Sequence, residues 1–303
     1  MPHVTRVNSH VHLTGADLTP PASPHVFFEP ADTETGVWVA HDLIGDDCSV
    51  LDLGCGSGAA AAAIARAGAA RVHGVDASPD SVAWAREHYA PHDAGPVTVG
   101  HGDFAELSTK DLLATAPTPL PRPLVVTSNP PYVPLTAAAG SRRRSISGGE
   151  DGLRWAPAVI AHGRALGSDL GLTIGSYSTP RKAVHLLEEA GYRVHAVTLC
   201  PLPLGEFTLT HMEQVLALEQ AGEAVLWRSG RAVPAYFIVG LACRRAAAPG
   251  DGRLTGDGLL QLLRTAARSR TGHLETLDEA RPAGWAGLVR VLDLPPAPVR
   301  RHW

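Results

Sequence analysis

Ser49-Val50-Leu51-Asp52-Leu53-Gly54-Cys55-Gly56-Ser57-Gly58 decides the fold. A short, mostly apolar run ends in glycines at every second position, and an alanine-rich stretch, Ala59 to Ala67, follows. Alanine is the best helix former, so the segment reads as strand, tight turn, helix. Glycines permit the turn and let a ligand approach the backbone. The helix N-terminus beyond them favours negative charge such as a carboxylate or phosphate. Taken alone, the loop also suits a structural turn in an unrelated α/β protein, so its surroundings must narrow the choice.

Downstream, strands and helices alternate. Strands are expected at 71–75, 97–99, 124–128, 170–177, 194–199 and 235–243, which with 49–53 makes seven. Ser78 and Pro79 open a helix as cap and first-turn proline. Further helices are expected at 152–166, 180–190, 212–220 and 259–268. Such alternation implies a parallel sheet covered by helices on both faces. Residues 1–46 read as an N-terminal arm leading into a helix at Thr33 to Ile44. Residues 47–245 read as the core with an insertion at 201–233, and 246–303 as a linker and C-terminal extension.

The chain has 303 residues, 45% of them hydrophobic and 18% charged, enough to bury a sizeable core. A formal charge of −4 argues against a phosphate-dominated partner, and 5% aromatics against a stacking nucleic-acid binder. Cys48, Cys55, Cys200 and Cys243 form no C-x-x-C pair, so neither a zinc nor a disulfide framework is expected, and no metal. Neither a secretion signal nor a membrane span is expected either; the cytoplasm is the default. A homodimer is compatible with the sequence.

Two constellations carry chemistry. The first is the glycine loop with Asp52, Gly54 and Gly56, joined by Asp76 at the end of the second strand and by Asp103 and Phe104 after the third. Asp76 can accept both hydroxyls of a ribose, an arrangement a nicotinamide enzyme shares. Asp52, placed before the first glycine, suits a cationic ligand, and the methionyl end of S-adenosylmethionine carries an ammonium and a sulfonium. Asp103 can accept an adenine amino proton, and Phe104 can cover the ring.

The second is Asn129-Pro130-Pro131-Tyr132 at the end of the fourth strand, the sheet edge where ligands sit. Methyl transfer to an amide, guanidine or nucleobase nitrogen must work against a lone pair delocalised into a π system. Two acceptors on its N–H groups, the Asn129 side-chain oxygen and the Pro130 carbonyl, hold that nitrogen and favour tetrahedral geometry. The prolines stiffen the loop, and Tyr132 can stack on a flat acceptor.

With Asp52 to Gly58, Asp76, Asp103 and Asn129-Pro130-Pro131-Tyr132 together, the chain resembles the NPPY branch of class I S-adenosylmethionine-dependent methyltransferases. The glutamine N-methyltransferases that act on release factors (HemK/PrmC type) are the nearer likeness. Phe28-Glu29-Pro30-Ala31-Asp32-Thr33-Glu34 is similar to the segment before their core, and Gly148-Gly149-Glu150-Asp151-Gly152-Leu153 to the one after their NPPY loop. The resemblance implies a Rossmann-like seven-stranded sheet and S-adenosylmethionine as cofactor, bound by Asp52, Gly54, Gly56, Asp76, Asp103, Phe104 and Asn129. It implies Asn129, Pro130 and Tyr132 as the positioning residues, with Pro131, Tyr132 and Glu34 on the substrate side. Ala31 stands where those enzymes carry arginine, about 25 residues precede Val26 where they have a helical domain, and the 201–233 insertion has no counterpart.

Other features weigh less. His10 and His12 lack an accompanying ligand cluster, and Arg142-Arg143-Arg144 reads as a solvated loop. Glu206, His211 and Glu213 lie in the insertion; if Glu206 or Glu213 faces the Asn129 loop, the acceptor is a cation such as a guanidinium. The expected activity is N-methylation of an amide or guanidino nitrogen on a small molecule, amino acid or peptide. Protein glutamine is the first alternative and a nucleobase the second. A non-catalytic S-adenosylmethionine sensor would not need the Asn129 loop.

Overall fold

In the computed structural model, which describes residues 4–92, 95–228, 233–245, 253–268 and 284–296, the chain opens with strand β1 (Val4–Val7) and reaches helix α1 (Pro30–His41). An alternating series follows: β2 (Ser49–Leu53), α2 (Ala59–Arg66), β3 (Arg71–Asp76), α3 (Pro79–His88), β4 (Val97–His101), α4 (Thr109–Ala114) and β5 (Leu124–Ser128). Helices α5 (Ala137–Arg142) and α6 (Ala156–Leu166) lead to β6 (Asp169–Gly175), α7 (Pro180–Glu189) and β7 (Tyr192–Pro203). Last come α8 (Glu206–Thr210), α9 (Glu213–Gln220), β8 (Ala235–Arg245), α10 (Gly256–Arg268) and β9 (Leu288–Leu292).

All nine strands form one sheet in the order β1-β9-β7-β8-β6-β5-β2-β3-β4. Neighbours are parallel except β8, which runs antiparallel to both β6 and β7. The stretch β2 to β8 is the expected seven-stranded Rossmann-like sheet, and its helices cover both faces. The order reverses at β2, which pairs with β3 on one side and β5 on the other. The crevice above such a switch point, at the carboxyl ends of the strands, is where open α/β sheets hold ligands. Every residue of β2 and β5 is buried, as a central parallel strand requires. Among the described residues no helix is long and apolar enough to cross a membrane.

The sheet is wider than the seven strands the sequence suggests. β9 adds in parallel to β7 and β1 to β9. Both are short, and Arg6 and Arg290 interrupt their apolar patterns. Arg290 is nevertheless buried. Its guanidinium donates to both Asp42 oxygens (2.7 and 2.9 Å) and to Thr198 Oγ1 (3.1 Å), and it lies 3.9 Å from the Trp38 ring centre. A residue that reads as a strand breaker is thus the pin between the C-terminal strand and α1. Where a linker was expected at the start of 246–303, residues 246–252 lie outside the described residues and α10 begins at Gly256.

Helix α1 starts earlier than expected because the Glu29 side chain caps it, accepting from Ala31 N–H, with Pro30 in the first turn. Glu34, expected on the substrate side, is instead fully buried under the N-terminal arm. It accepts from the backbone N–H groups of Val11, His12 and Leu13 (3.1–3.2 Å) and pairs with His12 Nδ1 at 3.0 Å. Burial alone would raise its pKa, but these hydrogen bonds, led by His12, hold it below the usual glutamate value. The same contact engages the His12 ring in structure.

Removing Arg290 should expose how much the added strand depends on it. Arg290→Ala leaves the nearly buried Asp42 carboxylate with only His41, 3.9 Å away, and breaking such a pair costs about 3–5 kcal/mol. Equilibrium urea unfolding should show a loss of that order; a loss below about 1 kcal/mol would make the pair a surface-type contact.

Candidate active site

A cavity of about 1070 Å³ opens at the carboxyl ends of β2, β3 and β5. Asp52, Gly54, Gly56, Asp76, Asp103 and Phe104 line it, and so do Asn129, Pro130, Pro131 and Tyr132. Two constellations, within 52–104 and 129–132, therefore share one space. That juxtaposition follows from the pairing of β2 with both β3 and β5.

The glycine turn is shaped by backbone conformation. Gly54 and Gly56 have φ of +75° and +55°, the left-handed region that side chains rarely tolerate. Nothing lies within 4 Å of where a Gly56 side chain would begin, so this backbone faces open space. The turn is tied to the next strand. Gly56 N–H donates to Asp76 Oδ2 (2.9 Å), and Ser78 N–H to Asp76 Oδ1 (2.8 Å). Phe104 packs over Gly54, and its carbonyl accepts from His162 Nε2 (2.7 Å). Asp103 Oδ1 accepts from Ala105 N–H (2.8 Å).

Arg144 and Arg154 line the cavity, but neither forms an ion pair with Asp52 or Asp76. Asp52 is 6% exposed, and Thr127 Oγ1 donates to its Oδ1 (2.8 Å). Burial pushes its carboxyl up to about 6, the Thr127 bond opposes the rise, and the neighbouring Asp76 charge adds to it. Burial also raises Asp76, against the two backbone donors that lower it. No lysine or arginine pairs with either acid among the described residues. A ligand with a cationic group near Asp52 would supply the missing charge.

The Asn129 loop is held from behind. Ser178 Oγ donates to the Tyr132 carbonyl (2.7 Å), and Val133 N–H to the Ile146 carbonyl (3.0 Å). Gly148 N–H donates to the Val133 carbonyl (2.9 Å) and Leu135 N–H to the Gly149 carbonyl (2.9 Å). Gly152 makes the fit possible: at φ +77°, any side chain would sit 2.5 Å from Ser178 and 2.7 Å from the Tyr132 carbonyl. The Gly148 to Leu153 segment therefore buttresses the loop. Asn129 Oδ1 is buried and has no hydrogen-bond partner, an acceptor left for something that enters the cavity.

Tyr132 departs from its expected part. Its hydroxyl donates to Asp32 Oδ1 (2.6 Å), and its ring packs near Tyr177 and Tyr236 as part of the wall. It is a fixed surface, not a free plate. Asp32, Tyr177 and Tyr236 also line the cavity and were missed in the sequence, where Asp32 was one letter of a quoted segment and the tyrosines lay inside ordinary strand patterns. Glu206 and Glu213 do not line it and are exposed. β7 runs on to Pro203 before turning, and the insertion meets the acceptor side with apolar residues, Phe207 and Val215 among them, packed in one cluster with Leu135 and Ile146.

Residues 50–115 match a family described as a methyltransferase domain. The matched stretch runs from β2 to α4 and holds the glycine turn, Asp76, Asp103 and Phe104. No curated protein matches the sequence. Among solved structures, it is similar to a candidate RNA methyltransferase of Pyrococcus horikoshii (15% identity, TM-score 0.46, 78% of this chain and 93% of that one). It is also similar to the precorrin-6y C5,15-methyltransferase of Geobacter metallireducens (15%, 0.42, 77% and 98%). A third is the ribosomal protein L11 methylase of Lactobacillus delbrueckii subsp. bulgaricus (16%, 0.39, 73% and 81%).

Asp52 generates a prediction with two opposite signs. Its folded pKa of about 6 lies above the ordinary aspartate value of 3.8, so it favours the folded state below pH about 4 and loses that contribution as pH rises through about 6. Asp52→Asn keeps a partner for Thr127 and should stabilise the ligand-free protein at pH 8 by about 1–3 kcal/mol. The same variant should bind S-adenosylmethionine at least about tenfold more weakly. Thermal unfolding and calorimetric titration at pH 8 check both signs; a variant no more stable than the parent would mean that Asp52 is not a strained carboxylate.

Proposed function

We propose that the protein transfers the methyl group of S-adenosylmethionine to a planar amide or guanidino nitrogen of a small molecule, amino acid or peptide. Its carrying observation is Asn129 Oδ1, a buried oxygen without a partner on the wall of the cavity that also holds Asp52 and Asp76. The chain's residues fit the methyl donor: Asp52 beside a cationic portion, Asp76 towards hydroxyls, and the turn at Gly54 and Gly56 beside the chain of the ligand. When bound, the donor supplies a methyl on a sulfonium: the N–CH₃ bond forms as the S–CH₃ bond breaks, its electron pair goes to sulfur, and a nitrogen proton leaves to solvent.

No covalent nucleophile is needed for such a transfer, because orientation supplies most of the catalysis. Asn129 Oδ1 accepts an N–H of the acceptor, and the Pro130 carbonyl is the second acceptor. Together they select a nitrogen bearing two hydrogens. They strengthen as the nitrogen leaves its planar geometry, which is where binding accelerates a reaction. Pro130 and Pro131 bring no N–H to compete for the pocket. The hydrogen bonds from Ser178 and Gly148 keep this loop in place before anything binds.

Asn129→Ala should lower kcat by about 10²–10³, as loss of one oriented transition-state hydrogen bond does, while affinity for S-adenosylhomocysteine changes no more than about threefold. The measurement uses methyl-labelled donor against guanidines, free amino acids, glutamine peptides of translation factors and oligonucleotides. Label on a glutamine side chain would select the protein acceptor, and label on a base the nucleobase reading. Turnover of Asn129→Ala within a few-fold of the parent would remove the planar-nitrogen assignment.

A further inference from the structure

The acceptor end of the cavity has a floor that the Asn129 loop does not explain. Asp32, in the first turn of α1, is only 2% exposed yet lines the cavity, as do Tyr132, Tyr177 and Tyr236. The Tyr177 and Tyr236 ring centres are 4.3 Å apart, and the Tyr132 centre lies 6.0 and 6.4 Å from them. Tyr132 donates to Asp32 Oδ1. Burial first and the Asp32 charge with it hold all three phenols well above the usual tyrosine range, which puts one carboxylate within electrostatic reach of every ring. Phe27 lines the same cavity.

These groups carry one sign. A carboxylate and the faces of aromatic rings both attract a cation and repel an anion. We propose that Asp32 with Tyr132, Tyr177 and Tyr236 forms a subsite for a guanidinium or amidinium group of the methyl acceptor. The inference rests on the planar-nitrogen reading above and narrows it. A planar cation of this kind offers N–H donors to Asn129 Oδ1 and to a carboxylate from the same plane, and its flat face suits a tyrosine wall. A neutral amide would satisfy Asn129 equally well but would draw less from Asp32 and from the rings. The charge that Glu206 and Glu213 were expected to supply from the insertion is thus supplied by α1.

The experiment measures binding, not turnover. The protein, saturated with S-adenosylhomocysteine, is titrated with butylguanidinium and with its neutral isostere butylurea, and dissociation constants are read by NMR. Butylguanidinium should bind at least about tenfold more tightly, the advantage of a charge-assisted pair over a neutral one. Asp32→Asn should reduce that preference to within about threefold while leaving the affinity for S-adenosylhomocysteine unchanged. Equal binding of the two probes by the parent protein, or a preference that survives Asp32→Asn, overturns the subsite. If Asp32→Asn does not fold, the parent ratio still decides, and Tyr177→Leu should weaken butylguanidinium more than butylurea. A clear Asp32-dependent preference in a protein that never labels nitrogen would keep the subsite and remove the planar-nitrogen reading. Methylation of a neutral amide, dependent on Asn129 and without guanidinium preference, would do the reverse.

Discussion

Asp52 sits at the end of a fully buried strand with one hydroxyl for company and another carboxylate nearby. Burying acids without cations is costly, and the rest of the site is arranged around that cost. Asp76 is held by two backbone N–H groups, which fixes the turn at Gly56 against the end of β3. The turn in turn depends on glycines that accept left-handed backbone. A bound cation would relieve the repulsion between the acids, so the ligand completes an electrostatic arrangement that the empty chain leaves unbalanced. On the proposed reading, stability of the free chain is exchanged for affinity, the pattern expected of functional sites.

Much of this was legible because it is local. β2, the glycine turn and the alanine helix are contiguous, and propensity, turn chemistry and strand periodicity agree there. Ser78 and Pro79 open α3 as their residue types require. The Asn129 loop was legible for the same reason, since two prolines after a strand leave few conformations. What stayed hidden is non-local. β9 was masked by Arg290, whose burial makes sense only once Asp42, Thr198 and Trp38 converge on it from other elements. Glu34 and Asp32 are two residues apart on α1, and nothing in their spacing says that one anchors the arm while the other faces the cavity.

The insertion shows how composition misleads about direction. Glu206 and Glu213 were singled out because acids near an acceptor would matter. In the folded chain, Val215 of α9 is buried and Phe207 of α8 packs against the same cluster, Leu209 and Leu216 stay exposed, and both acids are left in solvent. That is the ordinary behaviour of a short amphipathic helix. The insertion still touches the acceptor side, but through packing: Phe207 lies beneath the Arg143 guanidinium, in the segment that follows the Asn129 loop. Its influence on the acceptor is through the shape of the wall.

The two ends of the cavity are built differently, and that difference bears on what each can recognise. The donor end comes from consecutive elements, β2 to β4, joined by backbone hydrogen bonds, so its geometry is set by a stretch of about fifty residues. The acceptor end gathers Asp32 from α1, the loop after β5, Tyr177 after β6 and Tyr236 from β8. β5, β6 and β8 are neighbours in the sheet, and side chains add further ties: Tyr132 to Asp32, Ser178 to the Tyr132 carbonyl, ring to ring. A single substitution there changes charge or shape without disturbing the donor turn. On the proposed reading, acceptor choice is separable from donor binding, and Asn129 is where the two meet. It directly follows β5, whose last residue, Ser128, pairs with Leu53 of β2, and its side-chain oxygen is left without a partner.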